Sequence, residues 1–178
     1  MTAEDPRFPI GEFKYSGPSG ERERGERIDR IAAAPALLRS AVAGLSAEQL
    51  DTPYRTGGWT VRQVIHHVPD SHLNAYTRFK LALTEPSPTI KPYQEARWAE
   101  LSDSRSAPVE LSLDLLDALH RRWVLVLRQV REGEWSRTYF HPEQKREVTL
   151  DEVLALYAWH GEHHAAHITT LRRRMGWA

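Results

Sequence analysis

Three capping-box patterns divide this chain into helices, and they constrain its fold more than any other feature. In such a box, a hydroxyl and a Glu or Gln three residues later satisfy the free N–H groups of a helix N-terminus. The second and third boxes open long stretches in which apolar residues recur every three or four positions. They predict one helix from Thr60 to about Thr84 and another from Thr149 to about Arg174. The boxes are Ser46-Ala47-Glu48-Gln49, Thr60-Val61-Arg62-Gln63 and Thr149-Leu150-Asp151-Glu152.

Two further segments have the same apolar spacing. One runs from about Glu21 to Leu45, where Pro35 is expected to kink or interrupt the helix, and the other runs from Leu111 to Arg131. Four long amphipathic helices in one chain predict an all-α protein with a four-helix bundle.

The segments between the helices are also informative, and residues 1–178 are read as a single domain. Residues 85–108 contain four prolines and predict a long crossover connection or pocket wall, with a short helix at about 94–101. Residues 135–148 alternate loosely and predict a short hairpin. Residues 1–20 predict an irregular N-terminal arm whose apolar residues would suit packing against the body or a partner subunit: Phe8, Ile10, Phe13 and Tyr15.

Composition excludes several classes of function. Lys+Arg and Asp+Glu both number 24, so the chain lacks the basic surface typical of nucleic-acid binding. The chain has no cysteine, so a bound metal would rest on histidines, carboxylates and solvent. The N-terminus has no apolar signal region and no segment is apolar enough to span a membrane, which predicts a cytoplasmic enzyme or binding protein.

Four of the nine histidines lie between residues 160 and 167. His160 and His164 are one helical turn apart, as are His163 and His167, and two imidazoles at that spacing can share one metal ion. The apolar stripe of the last predicted helix includes His164 and borders His160, whereas His163 lies well outside it. The first pair is therefore expected to face the bundle interior.

Catalytic zinc sites tend to use three protein ligands and keep an open position. The third ligand would come from the helix predicted at 60–84, since nothing else in the chain clusters histidines near a helix face. His66 and His67 lie equally far from the centre of its apolar stripe, so periodicity leaves the choice between them open. Isolated histidines on apolar faces are usually core residues, and His72 and His120 are assigned to the core. Glu162 lies on the opposite side of its helix from the pair and is a poor candidate for a general base.

The motifs also resemble a known family, the YfiT branch of the DinB superfamily, over nearly the whole chain. They are Gly57-Gly58-Trp59-Thr60-Val61-Arg62-Gln63-Val64-Ile65-His66-His67-Val68, Trp98-Ala99-Glu100-Leu101, Trp159-His160, His163-His164-Ala165-Ala166-His167-Ile168 and Arg173-Arg174-Met175-Gly176-Trp177.

The resemblance implies a four-helix bundle that holds one divalent metal on three histidines. Carried onto this chain, they are His67, eight residues after Trp59, together with His160 and His164. Zinc is the expected ion, with nickel as the alternative. Pro69 stands where the family usually has Ala, and it is expected to change the local helix geometry two residues after His67.

The resemblance further implies a cytoplasmic homodimer acting on a small-molecule substrate. The expected activity is metal-dependent hydrolysis, in which the ion activates a bound water. One alternative is an S-transferase that adds bacillithiol or a similar low-molecular-weight thiol to electrophiles. An alternative of another class is a non-catalytic metal- or ligand-binding bundle of the stress response. Residues that could contact the substrate, or form an ordinary polar flank, are Ser71, Asn74 and Arg78.

Overall fold

The computed structural model describes residues 5–177, and its architecture is helical. Helices α1, α3, α6 and α7 are long, which confirms the predicted all-α four-helix bundle. Among residues 5–177, none of the helices has the length and apolar content that a membrane span requires. In chain order the elements are α1 (Glu21–Val42), α2 (Ala47–Leu50), α3 (Val61–Thr84), α4 (Glu95–Trp98), α5 (Ser102–Ser106), α6 (Val109–Leu127), β1 (Thr138–His141), β2 (Arg146–Thr149) and α7 (Leu150–Met175).

The four long helices form a ring in which α1 packs against α6 and α7, and α3 packs against the same two helices. The first two long helices, α1 and α3, therefore lie diagonally opposite each other, as do the last two, α6 and α7. Two apolar clusters fill the bundle, one around Trp123 and Phe79 and the other around Leu38 and Ile65. Between the residues of these two clusters lie buried histidines of three helices, so a polar layer crosses the core: His72 of α3, His120 of α6, and His163 and His164 of α7.

The helix starts follow the predicted caps, with one difference. Thr60 accepts the N–H of Gln63, whose side chain accepts the Thr60 N–H in return. Thr149 accepts the N–H of Glu152, but the Glu152 carboxylate binds Arg146 at 2.7 and 2.9 Å instead of returning to the cap. The box predicted for α7 is therefore only half formed.

Helices α1 and α6 differ from the prediction in detail. Helix α1 is continuous through Pro35, so the expected interruption does not occur. A proline within a helix removes one hydrogen bond, and buried neighbours can hold the helix together around it. Helix α6 ends at Leu127, short of the predicted Arg131. The N–H groups of Gln129 and Val130 bond three residues back, to Val126 and Leu127, and a 3₁₀ turn follows at Glu132–Glu134.

The connections include the predicted hairpin and crossover. Strands β1 and β2 pair antiparallel with Thr138 opposite Thr149, and Thr89 of the connection bridges to Phe140 in parallel orientation. The connection contains α4, as expected, and also α5, which has no periodic signal in the sequence.

The described part of the N-terminal arm lies along α7. Asp151, 3% exposed, accepts hydrogen bonds from the Tyr15 hydroxyl, from the N–H and hydroxyl of Ser19, and from Arg24 Nε at 2.9–3.0 Å. The Phe13 ring lies 5.8 Å from Trp159, whereas Ile10 remains 44% exposed. The Phe8 ring lies 6.2 Å from the His163 ring. Of the four apolar arm residues named from the sequence, all but Ile10 therefore contact α7.

Candidate metal centre

Three histidines from two helices converge in the polar layer. His67 of α3 and His160 and His164 of α7 place one ring nitrogen each within 4.8 Å of the others. The His67 ring centroid is 5.5 Å from that of His160 and 4.9 Å from that of His164. This trio could hold a metal ion, and it is the set that the family resemblance implied.

The two adjacent histidines of α3 face different neighbours. His66 Nδ1 lies 2.7 Å from the Ser112 hydroxyl and its Nε2 lies 3.2 Å from the Ala107 carbonyl, so His66 is directed towards α6. His67 faces α7, and the centroid of its ring lies 4.7 Å from that of the Trp59 ring. The structure thus separates two residues that helical periodicity left equivalent.

The spacing within the pair on α7 suits one small divalent ion. The Nε2 atoms of His160 and His164 are 3.2 Å apart. Two imidazole nitrogens bound to a tetrahedral zinc at about 2.0–2.1 Å are about 3.3 Å from each other. The two rings therefore need little movement to share such an ion.

Burial keeps the trio neutral. It lowers the pKa of His67 to about 4, and it lowers the pKa values of His160 and His164 well below 6.5, with the neighbouring rings adding to the effect. A neutral imidazole has a free lone pair on one nitrogen, which is the form that binds metal. At neutral pH no proton has to be displaced from the three rings.

The trio lines a cavity of about 430 Å³. Glu95 is the one carboxylate in its wall among residues 5–177, and two arginines contribute positive charge. Arg7 is paired with Asp5, whereas Arg55 donates to the Tyr54 hydroxyl and the Thr56 carbonyl, each at 3.1 Å. The wall includes Arg7, Tyr54, Arg55, Trp59, Glu95, Trp159, His163 and His167.

The other two histidines of the α7 cluster are buried beside the trio. His167 Nε2 lies 3.1 Å from the Arg7 carbonyl, and its Nδ1 lies 3.4 Å from Nδ1 of His164. His163 stacks on Trp159 at 4.1 Å. Neither is a surface group, because the N-terminal arm covers this face of α7.

The remaining sequence candidates lie elsewhere. The Ser71 hydroxyl contacts the Tyr157 hydroxyl at 3.3 Å, and Arg78 donates to the Lys91 carbonyl at 3.3 Å. Asn74 donates to the Asp70 carbonyl and lines a separate cavity of about 960 Å³ under the crossover connection. None of these three residues lines the cavity of the trio. Glu162, rejected as a base, binds Arg30 of α1 at 2.6 and 2.7 Å.

Three cavity residues have no signal in the sequence. Arg7 belongs to the irregular arm, Arg55 to the loop before α3 and Glu95 to the crossover connection. Helical periodicity cannot place residues of irregular segments. Only Arg55 has a weak local hint, because it lies between the aromatic residues Tyr54 and Trp59.

Fold and site together define a class: a four-helix-bundle protein with a buried tris-histidine group of the kind that holds a divalent metal. Residues 30–168 match the DinB superfamily, and the chain belongs to this family.

Relatives of similar sequence match this chain along nearly its whole length. The chain is 48% identical to "Putative metal-dependent hydrolase YfiT" of Bacillus subtilis, with complete coverage of both chains. It is 53% identical to a Bacillus mycoides protein with the same functional description, over 97% of this chain and 99% of that one. The solved structure of B. subtilis YfiT, described as a probable metal-dependent hydrolase with an unusual four-helix bundle topology, superposes with a TM-score of 0.95 over 97% of this chain and 99% of that chain.

Proposed function

We propose that this protein is a metal-dependent hydrolase whose one divalent ion, zinc or alternatively nickel, is held by His67, His160 and His164. The observation that carries the proposal is the convergence of three neutral imidazoles, two buried and one half-buried, in the wall of a cavity. A divalent ion with three neutral ligands lowers the pKa of a bound water towards neutrality and so supplies a nucleophile at physiological pH. The descriptions of the relatives support the same class of reaction.

The cavity wall supplies the other groups that hydrolysis of a small molecule needs. Glu95 offers a carboxylate oxygen that can accept the proton of the attacking water. The Arg55 guanidinium makes hydrogen bonds only to neutral acceptors among residues 5–177, so it is available to an anionic group of the substrate. Trp59 and Trp159 give the wall apolar surface.

Thiol transfer is the second candidate, and the neutral ligand set favours it equally. Three uncharged ligands leave the full charge of the ion to stabilise an anion. That anion can be a thiolate as readily as a hydroxide. The chain has no cysteine of its own, so the thiol would be a low-molecular-weight compound such as bacillithiol.

Metal analysis of the purified protein tests the site. Wild type should carry about one equivalent of zinc or nickel, and His67→Ala, His160→Ala and His164→Ala should each lose most of it because two imidazoles bind far more weakly than three. His66→Ala is the matched control: His66 is equally buried on the same turn of α3 but binds Ser112 and Ala107, so metal should be retained. Full occupancy in the three trio variants would refute the assignment.

Activity measurements separate the candidate functions. The metal-loaded protein is incubated with ester and amide substrates without thiol, and with monochlorobimane plus bacillithiol, glutathione or neither. Metal-dependent turnover without thiol supports hydrolysis, whereas conjugation that needs both thiol and metal supports transfer. Metal binding without either reaction would favour a non-catalytic binding bundle.

The cytoplasmic homodimer implied by the resemblance stays a prediction. Light scattering on the purified, metal-loaded protein should give twice the mass of the 20.5 kDa chain. A mass of one chain over the accessible concentration range would contradict it.

A further inference from the structure

We propose that the backbone carbonyl of Ile31, left free by Pro35, sets the orientation and tautomer of the metal ligand His160 through two intervening histidines, His120 and His72. This makes His72 and His120 positioning residues for the metal centre. The proposal rests on the metal site of the proposed function but does not depend on the reaction catalysed there.

A continuous row of hydrogen bonds joins the carbonyl to the ligand. The Ile31 oxygen lies 2.6 Å from Nδ1 of His120, and Nε2 of His120 lies 2.7 Å from Nδ1 of His72. Nε2 of His72 lies 3.0 Å from Nδ1 of His160. The row crosses the bundle from α1 through α6 and α3 to α7, and both intermediate rings are at most 1% exposed.

The carbonyl fixes every proton in this row. An oxygen of a peptide group only accepts, so Nδ1 of His120 carries the hydrogen. In a neutral ring the other nitrogen is then an acceptor, so His120 Nε2 accepts from Nδ1–H of His72. By the same rule His72 Nε2 accepts from Nδ1–H of His160. The Nε2 atom of His160 is left with its lone pair.

Neutral rings are the stable form here, because a cation buried without a carboxylate partner is costly. Neither ring has a hydrogen-bonded carboxylate among residues 5–177, and the rings beside His72 are those of His120, His160, Trp123 and Tyr157. A neutral row has one internally consistent direction, which starts at the carbonyl.

Pro35 explains why this carbonyl is available. In a continuous α-helix the oxygen of residue 31 would accept the N–H of residue 35, but proline has no N–H. The Ile31 oxygen therefore lacks its helical partner and accepts from His120 instead. A residue that costs the helix one hydrogen bond thus supplies the fixed end of the row.

An independent observation agrees with this direction. The row predicts that His160 binds metal through Nε2, and Nε2 of His160 is the atom that faces Nε2 of His164 at 3.2 Å. His164 has a shorter row of its own. The Arg7 carbonyl accepts from Nε2–H of His167, whose Nδ1 faces Nδ1 of His164 at 3.4 Å, and this again leaves Nε2 of His164 unprotonated.

The first test needs only the wild-type protein. Long-range ¹H–¹⁵N spectra of metal-free, ¹⁵N-histidine-labelled protein at neutral pH report which nitrogen of each ring carries hydrogen. The expected result is protonation at Nδ1 of His120, His72 and His160. A spectrum with His160 protonated at Nε2 would overturn the proposal, whether or not any variant folds.

Variants then test whether the row acts on metal affinity. His120→Phe keeps the ring but removes both hydrogen bonds, so the tautomers of His72 and His160 should become mixed and zinc affinity should fall about 10–100-fold, measured by chelator competition. His120→Gln can donate to Ile31 and accept from His72, and should restore most of the affinity. Unchanged tautomers and zinc affinity in a folded His120→Phe protein would refute the proposal, as would equal losses in both variants.

Trp123→Phe is the matched packing control. Trp123 contacts both intermediate rings at 6.1 Å between centroids, but its Nε1 has no hydrogen-bond partner among residues 5–177. This variant should retain the wild-type tautomers and zinc affinity. A loss equal to that of His120→Phe would assign the effect to packing and overturn the proposal.

Pro35→Ala tests the origin of the row. It returns an N–H that competes for the Ile31 oxygen, so the Nδ1–H proton of His120 should shift upfield as its hydrogen bond weakens. An unchanged proton shift would refute the role given to Pro35.

All these readouts are separate from turnover. A protein that binds zinc as expected but hydrolyses nothing would contradict the proposed function and leave this inference intact.

Discussion

Identical residue types one position apart perform unrelated tasks in this protein. Successive side chains on a helix are rotated by about 100°, so His66 and His67 cannot face the same neighbour. His66 ties α3 to Ala107 and Ser112, whereas His67 joins the trio. The role of each histidine follows from the element it faces and not from its chemistry alone.

Arg55 carries the residue-scale prediction for substrate choice. Arg55→Gln should raise the KM of an anionic ester about tenfold, because a charge-assisted hydrogen bond contributes about 1.5–3 kcal/mol, while the KM of its neutral analogue stays unchanged. The measurement is steady-state hydrolysis of the matched pair by the metal-loaded protein.

Arg55→Lys is the control that retains the charge, and it should lie between wild type and Arg55→Gln because an ammonium group cannot reproduce the guanidinium fork. Equal effects of Arg55→Gln on the anionic and the neutral ester would show that Arg55 does not read substrate charge.

At the scale of elements, Gly161 lies where α7 packs closely against α1. A Cβ added at residue 161 would lie 2.8 Å from the Cβ of Ala34, which has no flexible end that could move away. Gly161 also follows the ligand His160 directly. The contact between these two helices therefore fixes part of the metal centre.

Gly161→Ala should destabilise the protein by about 1–3 kcal/mol through overpacking, more than the roughly 0.5–1 kcal/mol that alanine gains over glycine within a helix. The free energy of unfolding in urea is the measurement, with zinc affinity as a second readout.

The compensating variant is Ala34→Gly. In the double variant the added methyl group has space, so the two substitutions should be coupled by about 1 kcal/mol or more. Strictly additive effects would show that residues 34 and 161 do not limit the approach of the two helices.

Local signals in the sequence specify the elements well. Hydroxyl caps and apolar spacing predict α3 and α7 nearly to the residue, and helical phase alone prefers His160 and His164 over His163 and His167. The third ligand could not be chosen in this way, since the rotation of α3 relative to α6 and α7 is a property of packing. Residues of irregular or single-turn segments, such as Glu95 at the start of α4, leave no periodic trace in the sequence.

For the whole molecule, the amount of buried imidazole predicts acid sensitivity. Burial lowers the pKa values of the histidines from an ordinary value of 6.5, and the effect is largest for six of the nine: to about 4 for three of them and well below 6.5 for three others. The first three are His67, His120 and His163, and the others are His72, His160 and His164.

The sign of the effect follows from proton uptake. Above about pH 6.5 these histidines are neutral in both folded and unfolded chains, so they do not change the free energy of unfolding with pH. Below it the unfolded chain binds protons that the folded chain cannot, and the free energy of unfolding falls by about 1.4 kcal/mol per pH unit for each histidine. Metal-free protein should therefore unfold between about pH 6 and pH 4.5, as followed by circular dichroism.

His120→Gln provides the control, because it removes one titrating ring while retaining the donor and acceptor. The slope of unfolding free energy against pH should decrease by about 1.4 kcal/mol per pH unit in this variant. Metal-free wild type that is as stable at pH 4.5 as at pH 7 would contradict the prediction.

The hydrogen bond between the Arg7 carbonyl and His167 spans 160 positions of the chain. At translation rates of about 5–20 residues per second, the arm leaves the ribosome roughly 8–32 seconds before the helix segment that it must meet. A nascent chain therefore carries His67 for about half of its synthesis without the α7 histidines that complete the trio. Metal loading should belong to the finished chain, and a chain stalled before α7 should bind no ion at this site.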